Sequence, residues 1–163
     1  MKYYYTVMKS PVGDITLVAD TDRLCAIYLP NQKPDRMKFP DLESKDSDPI
    51  LKSAVKQLGS YFSGKREKFD VSLRPVGTDF QEQVWKALRS ISYGKTVSYG
   101  DIAKKIGNPK AVRAVGSAIG KNPLSIMIPC HRVIGSNGNL TGFAGGLPTK
   151  EFLLKLETQA ISN

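Results

Sequence analysis

The hydrophobic periodicity of the chain is mainly that of strands before Gly77 and that of helices after it, and this change predicts two lobes of different architecture. Before Gly77, apolar residues alternate with polar ones in short runs, which is typical of β-strands. After Gly77, apolar residues recur every three or four positions, which is typical of helices. We therefore predict an α+β fold, with an N-terminal lobe over residues 1–77 and an all-helical C-terminal lobe over residues 78–163.

The N-terminal lobe is predicted to hold a three-stranded antiparallel sheet and one helix. Two alternating runs begin at Tyr3 and Ile15, and a third run, rich in β-forming residues, begins at Leu24. Residues 30–49 hold four prolines among charged residues and are predicted to form a long, poorly ordered connection. Helical spacing follows over residues 50–62, and a short strand is predicted over residues 69–73.

Two capping boxes predict helix starts in the C-terminal lobe. Thr78 and Gln81 have the spacing at which each side chain bonds the other's backbone, so a helix should begin near Asp79. Ser98 and Asp101 repeat the pattern and predict a second, short helix.

Two further helices are predicted beyond these. Asn108 is a good N-cap and Pro109 suits a first helical position, so a third helix is predicted over residues 110–119. A last helix is predicted over residues 147–157. The glycine-rich segment 121–146 between them is predicted to be a loop, and loops of that length are usually functional.

The cysteine and histidine counts limit the chemistry. Cys25, Cys130 and His131 are the only residues of these types, whereas a structural zinc site of Cys and His needs about four ligands. A disulfide framework is excluded by the same count.

The N-terminus lacks the apolar core of a signal peptide, and no apolar run is long enough to span a membrane. We expect a soluble cytoplasmic protein with no bound metal and no contact with membranes.

The charge of the chain favours an anionic partner. The net charge is +9, with +3 in residues 1–77 and +6 in residues 78–163. Nucleic acid is the commonest partner of such a basic lobe. The alternative is that the excess of lysine only keeps the protein soluble.

The spacing of two predicted helices is that of a helix-turn-helix. Residues 99–106 and 110–119 are separated by a three-residue break that contains Gly107. The second helix of the pair carries small side chains at Ala111, Ala114, Gly116, Ser117 and Ala118. Such a helix fits a groove and projects Arg113 and Lys110, without the long polar side chains that read bases. The alternative is that the small residues let it pack on another helix.

The apolar run over residues 126–134 is interrupted by Cys130, His131 and Arg132. A cysteine nucleophile needs a base to accept its proton, and histidine is the usual one. Neighbouring side chains diverge in an extended chain, so a water between thiol and imidazole would carry the proton. Glu157, beside the apolar stripe of the last helix, is a candidate to orient the imidazole. The alternatives are a buried structural cysteine beside a surface histidine, and a surface Glu157.

Three segments together resemble the O6-alkylguanine-DNA alkyltransferases. They are PCHRV at 129–133, NPKAVRAVG at 108–116, and the glycine pair that leads to Lys-Glu at 145–151. The resemblance covers residues 78–157 in order and spacing, and the N-terminal lobe in size and type. It implies a ribonuclease H-like N-terminal lobe and a winged helix-turn-helix in the C-terminal lobe.

The resemblance also implies catalytic roles. Cys130 would accept the alkyl group from the oxygen of damaged guanine, and His131 would deprotonate it through a water. Glu157 would hold His131. Tyr99 would donate a hydrogen bond to the leaving base, and Asn122 would brace the turn before the cysteine segment.

Further roles concern DNA. Arg113 would enter the base stack after the damaged guanine is flipped out, with its helix in the minor groove. The implied DNA-binding residues are Lys110, Ala111, Arg113, Ala114 and Ser117. The implied pocket residues are Tyr99, Val133, Phe143 and Ala144, where Phe143 replaces a tyrosine of some relatives. We expect a monomer that repairs double-stranded DNA largely independently of sequence, once per molecule and without a cofactor.

Two other functions compete with this interpretation. A non-catalytic DNA-binding regulator would use the helix-turn-helix and Arg113, but it leaves Cys130 and His131 without a role. A hydrolase with a Cys-His pair would need an oxyanion hole, and it does not explain the basic helical lobe.

Overall fold

The structure is a computed structural model that describes residues 2–34 and 38–162. The chain divides into two compact units, Met1–Pro75 and Val76–Asn163, hereafter the N-terminal and C-terminal units. The first holds a sheet and one helix, and the second is mainly helical. The predicted α+β fold is confirmed.

The N-terminal unit contains a four-stranded mixed sheet, where three antiparallel strands were predicted. Its strands are β1 (Tyr4–Met8), β2 (Ile15–Ala19), β3 (Leu24–Tyr28) and β4 (Glu43–Ser44). The order is β3-β2-β1-β4, and β4 pairs parallel with β1 at the edge. The sequence analysis missed β4 because two exposed residues are too few to show alternation.

One helix covers this sheet. Helix α1 (Pro49–Phe62) begins where the Asp48 side chain accepts a hydrogen bond from the Leu51 backbone N–H at 3.0 Å, with Pro49 in the first turn. Its apolar face packs on β1, β2 and β3. The fully buried side chains of that face are Leu51, Ala54, Leu58 and Tyr61.

Two predictions for this unit need correction. Residues 69–73 are not a strand, because only Leu73 pairs with β3, in an isolated bridge to Leu24. The connection over residues 30–49 is partly ordered, because Phe39 is buried and packs edge-on against Tyr3, with ring centroids 5.0 Å apart. Residues 35–37 of that predicted connection lie outside the described residues.

The C-terminal unit contains four α-helices, one 3₁₀ turn and a two-stranded sheet within the described residues. In order these are α2 (Asp79–Leu88), β5 (Val97–Ser98), α3 (Tyr99–Lys105), α4 (Val112–Gly120), the 3₁₀ turn (Cys130–Arg132), β6 (Val133–Ile134) and α5 (Leu147–Ser162). Both predicted capping boxes are confirmed, at the starts of α2 and α3. No helix in the described part of the chain is both long and apolar enough to cross a membrane.

The C-terminal unit is therefore not all-helical. Strands β5 and β6 pair parallel, with Val97 opposite Val133 and Ser98 opposite Ile134. Such two-residue strands leave no periodic signal in the sequence. Their pairing holds the start of α3 beside the segment that follows the 3₁₀ turn.

Helix α4 begins later than predicted. The backbone carbonyl of Asn108 accepts a hydrogen bond from Ala111 N–H at 3.0 Å, which forms a turn and not a helix cap. Ala111 is the N-cap instead, without a side-chain hydrogen bond. Helices α2, α3 and α4 pack against one another, and the indole N–H of Trp85 donates to the carbonyl of Ala118 at 2.8 Å.

Candidate active site

The cysteine segment is a tight turn inside the predicted loop, and not the extended chain expected for Cys130 and His131. Cys130 N–H donates to the carbonyl of Ile128 at 2.8 Å, and Arg132 N–H donates to that of Pro129 at 3.0 Å. The strand β6 begins only at Val133. Consecutive side chains of this turn therefore do not alternate between two faces, as they would in an extended chain.

Asn122 closes the loop that leads to this turn. Its side-chain N–H donates to the carbonyl of Ile128 at 2.8 Å, and its side-chain oxygen accepts from Leu124 N–H at 3.0 Å. Within the loop, Ile126 has a φ of 77°, a conformation that is strained for a β-branched residue. The side chain of Asn122 thus fixes the backbone directly before Cys130.

His131 and Glu157 form a fully buried hydrogen bond. His131 Nε2 lies 2.6 Å from Glu157 Oε2, although the two residues are 26 positions apart. Glu157 also accepts a hydrogen bond from Gly94 N–H at 3.2 Å. His131 Nδ1 is buried and makes no hydrogen bond to any residue that the structure describes.

Arg132 binds the same carboxylate from another direction. Its Nε donates to Glu157 Oε1 at 2.8 Å, and its Nη2 donates to Oε2 at 3.1 Å. Its Nη1 donates to the carbonyl of Ile91 at 2.7 Å, and its guanidinium lies 5.6 Å from the ring centroid of Tyr93. The carboxylate is therefore shared by an imidazole, a guanidinium and a backbone N–H.

These contacts set the charges of the pair. Burial lowers the pKa of His131; the charges of Arg132 and Lys150 lower it further, and Glu157 only partly opposes them. Burial alone would raise the pKa of Glu157, but the hydrogen bonds and charges of His131 and Arg132 outweigh it and hold the pKa at about 2. At neutral pH Glu157 is a carboxylate and His131 is neutral, so Nε2 donates and Nδ1 is the acceptor.

The thiol of Cys130 is protonated in this resting state. Burial raises the pKa of Cys130, and the hydrogen bond of Asn122 and the charge of Lys150 oppose that rise only in part. A protonated, buried thiol needs a base to become a nucleophile. The neutral imidazole next in sequence is a base of that kind.

Lys150 is a buried cation beside the turn. Its Nζ donates to the carbonyl of Val133 at 2.6 Å and to that of Thr141 at 3.3 Å. Burial lowers the pKa of Lys150, and the negative charge of a Cys130 thiolate acts in the opposite direction. Lys150 thus brings positive charge to a place where a thiolate would form.

Tyr99 starts α3 and reaches the loop before α5. Its hydroxyl lies 2.6 Å from Thr141 Oγ1, whose backbone carbonyl binds Lys150. Farther along the same loop, Phe143 is half-buried and Ala144 is exposed, whereas Val133 on β6 is fully buried. Of the predicted pocket residues, Tyr99 and Val133 are joined through this network, and the structure gives Phe143 and Ala144 no polar contact to it.

The predicted DNA-binding residues lie along one side of α4 and just before it. Arg113, Ala114 and Ser117 are exposed on α4, Lys110 is exposed ahead of it, and Ala111 is half-buried. The opposite side is buried through Val115, Ala118 and Ile119. A Cβ atom at Gly116 would lie 3.8 Å from the ring of Tyr99. Part of the small-residue pattern therefore serves packing of α4 on α3, and part faces outward.

Two residues of the site had no role in the sequence analysis. Arg132 carried a signal, because a charged residue inside an apolar run needs a buried partner. Lys150 was part of a segment that carries the resemblance, but no local pattern indicated its burial, because a lysine in the first turns of a helix is usually exposed. Within the described residues, no group of three or more His, Cys, Asp or Glu side chains is arranged to hold a metal ion.

Comparisons with known proteins find relatives over most of the chain. The family model of the 6-O-methylguanine DNA methyltransferase DNA binding domain matches residues 79–159, and that of the ribonuclease-like domain matches residues 3–75. A methylated-DNA–protein-cysteine methyltransferase of Methanosarcina acetivorans is 50% identical over 154 residues, covering 94% of this chain and 97% of the relative. One of Haemophilus influenzae is 44% identical over 155 residues, covering 94% and 86%.

Solved structures point to the same family. The crystal structure of Mycobacterium tuberculosis OGT in complex with DNA has a TM-score of 0.88 and 43% identity, covering 98% of this chain and 94% of that one. The structure of Mycobacterium tuberculosis O6-methylguanine methyltransferase has a TM-score of 0.87 and 44% identity, covering 97% and 94%. The chain belongs to the 6-O-methylguanine DNA methyltransferase family.

Proposed function

We propose that this protein repairs DNA by transferring the alkyl group of O6-alkylguanine irreversibly to its own Cys130. The observation that carries the proposal is the buried cluster in which Cys130 is followed by a neutral His131 held by Glu157. Curated relatives at 44–50% identity over nearly the full chain are methylated-DNA–protein-cysteine methyltransferases. A cysteine with an adjacent base is what such a transfer requires.

The proton of the thiol leaves through His131 in this mechanism. Nε2 of the ring is engaged by Glu157, so Nδ1 is the nitrogen that remains to accept a proton. A water between Cys130 Sγ and Nδ1 carries the proton. Glu157 stabilises the imidazolium that forms, and Lys150 stabilises the thiolate.

The transfer itself exchanges one bond for another. The thiolate sulfur of Cys130 attacks the alkyl carbon, the S–C bond forms, and the bond between that carbon and O6 breaks. The electron pair of the broken bond goes to guanine, which takes up a proton and leaves as the neutral base. The Tyr99 hydroxyl donates a hydrogen bond to that base in exchange for its contact with Thr141.

DNA binding falls to the C-terminal unit in our proposal. The exposed side of α4 with Arg113 enters the minor groove, and Arg113 supports the flipped-out state of the damaged nucleotide. The small side chains Ala114 and Ser117 allow close approach without reading bases, so binding is largely independent of sequence. Val133, Phe143 and Ala144 line the pocket for the flipped base.

The reaction occurs once per molecule in this scheme. A thioether is far more stable than an alkylated guanine oxygen, and regeneration of Cys130 would need a second thiol. Cys25 lies in the N-terminal unit, where its thiol donates to the carbonyl of Arg23 at 3.6 Å. We further propose that the protein acts as a monomer, without a cofactor, in the cytoplasm, because its thiol must stay reduced.

The intact mass of the protein tests the proposal. It is mixed with an excess of a duplex oligonucleotide that carries one O6-methylguanine, and its mass is followed over time. We expect the mass to rise by a single methylene unit, and peptide mapping to find the methyl group on Cys130. Unchanged mass with tight DNA binding would support a non-catalytic regulator instead, and repeated turnover would contradict irreversible self-alkylation.

A further inference from the structure

Arg132 is a buried cation whose contacts all lie beside the reacting centre. Its Nε and Nη2 donate to the two oxygens of Glu157 at 2.8 and 3.1 Å, and its Nη1 donates to the carbonyl of Ile91 at 2.7 Å. A guanidinium that binds both oxygens at once fixes the plane of a carboxylate, which a single-point donor cannot do.

The position of the Glu157 carboxylate determines the position of the His131 imidazole. Glu157 Oε2, which accepts from Arg132 Nη2, is also the atom 2.6 Å from His131 Nε2. Glu157 Oε1 is held further by Gly94 N–H at 3.2 Å. Because Nε2 is tied to a fixed oxygen, the direction of Nδ1 on the other side of the ring is fixed as well.

The charge of Arg132 matters as much as its shape. A buried carboxylate next to a histidine favours the protonated ring, and a protonated ring cannot accept a proton from a thiol. The guanidinium offsets the negative charge of Glu157. Without it, the pull of Glu157 towards the imidazolium would be opposed only by burial and by Lys150.

The other groups around His131 do not replace this effect. The charged groups that act on it are Glu157 and Lys150 from α5 and Arg132 from its own turn; Cys130 precedes it in that turn, and Tyr93, from the segment after α2, packs on the guanidinium of Arg132. Helix α2 also packs on the turn, and its buried side chains are apolar. Lys150 opposes protonation too, but its Nζ is hydrogen-bonded to backbone carbonyls and not to Glu157.

We propose that Arg132 is a positioning residue for alkyl transfer, which grips both oxygens of Glu157 and offsets their charge so that His131 stays a neutral base. The inference rests on the proposed function, because it assigns Arg132 a part in the same reaction. Arg132 touches neither thiol nor guanine in this role, and it acts only through Glu157 and His131.

Two variants separate the charge of Arg132 from its geometry. Arg132→Gln keeps an N–H donor and removes the charge, whereas Arg132→Lys keeps the charge and loses the two-point grip. The transfer rate with free O6-methylguanine is measured from pH 5 to pH 9 and corrected for the folded fraction. His131 is the only histidine of the chain, so its titration can be followed by NMR without ambiguity.

The two variants should differ in pH dependence. In Arg132→Gln, the His131 titration and the acid limb of the rate profile should move up by about one pH unit. The rate should fall several-fold near pH 6 and recover at higher pH. In Arg132→Lys, the rate should fall by a similar factor at every pH, and the titration should stay in place.

The control is Arg89→Gln, because Arg89 is an exposed arginine of the same unit, and this change should move neither quantity. The proposal would be overturned if a folded Arg132→Gln variant had the His131 titration and the rate profile of wild type. It would also be overturned if the His131 titration moved as far in Arg132→Lys as in Arg132→Gln. If Arg132→Gln does not fold, the ¹⁵N chemical shifts of His131 in the wild-type protein test whether its ring is neutral. A neutral ring protonated on Nε2 at pH 7 supports the proposal, and an imidazolium overturns it.

The experiment also separates this inference from the proposed function. Wild-type protein that gains no methyl group on Cys130 would contradict the proposed function. The NMR titration of His131 would still show whether Arg132 controls its protonation.

Discussion

The two cysteines of this protein are both buried and both poor thiolates at rest, yet their surroundings differ in kind. Cys25 lies on β3, where burial and the negative charge of Asp20 raise its pKa to about 11. Burial also raises the pKa of Cys130, but a hydrogen bond from Asn122 and the charge of Lys150 oppose it, and a neutral imidazole is next in sequence. Burial alone therefore does not distinguish an inert thiol from a nucleophile.

The difference lies in what each site offers a departing proton and a developing charge. The thiol of Cys25 meets the backbone carbonyl of Arg23 and a carboxylate, which both disfavour a thiolate. Cys130 is followed in sequence by a base, His131, whose Nε2 is held by Glu157. A buried cysteine becomes reactive when its neighbours can accept the proton and balance the charge.

Replacing each cysteine should give the largest contrast. Cys130→Ala should abolish methyl transfer from duplex and from free O6-methylguanine, because no other thiol has a base beside it. Cys25→Ala should transfer at the wild-type rate, although loss of a buried thiol will lower stability modestly. Single-turnover transfer of a labelled methyl group measures both, and label on Cys25 in either protein would contradict the comparison.

Removing the base should make the environment of Cys130 more like that of Cys25. His131→Gln should slow transfer by roughly 10²- to 10⁴-fold, because the thiol proton loses its acceptor. The loss should be similar with duplex and with free base, since His131 acts in the chemical step. A rate within threefold of wild type, from a variant whose folding is verified by circular dichroism, would remove His131 from the mechanism.

The pH dependence of stability tests the buried carboxylate that supports this base. The pKa of Glu157 is lowered from 4.5 to about 2, so its contribution is present above pH 4.5 and is lost as the pH falls towards 2. The contribution of the Glu157 carboxylate to the free energy of unfolding should be on the order of 3 kcal/mol. The difference in unfolding free energy between wild type and Glu157→Gln, measured with urea, should shrink over that window.

His131 acts in the same direction at higher pH. Its pKa is lowered from 6.5, so the neutral ring stabilises the fold above that value and this contribution declines as the pH falls below it. A difference between wild type and Glu157→Gln that stays constant from pH 5 to pH 2 would show that Glu157 is not held as a carboxylate.

Access to DNA should be separable from activation of Cys130. Arg113→Ala should slow transfer from duplex DNA by about ten- to a hundredfold, because the flipped-out state loses a few kcal/mol of support. It should leave the reaction with free O6-methylguanine close to wild type. Lys86→Ala, at an exposed position on α2, is a matched control for loss of one positive charge. Equal damage to both reactions would show that Arg113 is structural or catalytic.

Local signals in the sequence predicted the elements that local interactions determine. The capping boxes at Thr78 and Ser98 involve residues three positions apart, and both are present. The runs of β1, β2 and β3 were found because β-branched and aromatic residues are frequent in each of them. By contrast, Asn108 and Pro109 carry cap signals, but a turn to Ala111 uses the carbonyl of Asn108 and delays the helix.

The sequence predicted which residues form the candidate site, but not the hydrogen bonds and ion pairs between them. The resemblance to alkyltransferases pointed to Cys130, His131 and Glu157 together. The sequence predicted a loop around Cys130 but not its tight turn, because a 3₁₀ turn has no periodic pattern. The contacts of Arg132 and Lys150 depend on α5 packing against the turn, an interaction over about twenty residues that no local pattern encodes.

The placement of Glu157 and Lys150 on α5 has a consequence for the newly synthesised chain. Both residues follow Cys130 in the chain, so the thiol emerges from the ribosome before either partner does. Until α5 has docked, His131 lacks the carboxylate that orients it and the thiol lacks the buried ammonium near it. In the proposed mechanism, Cys130 of a nascent chain therefore becomes reactive only after α5 has packed against its turn.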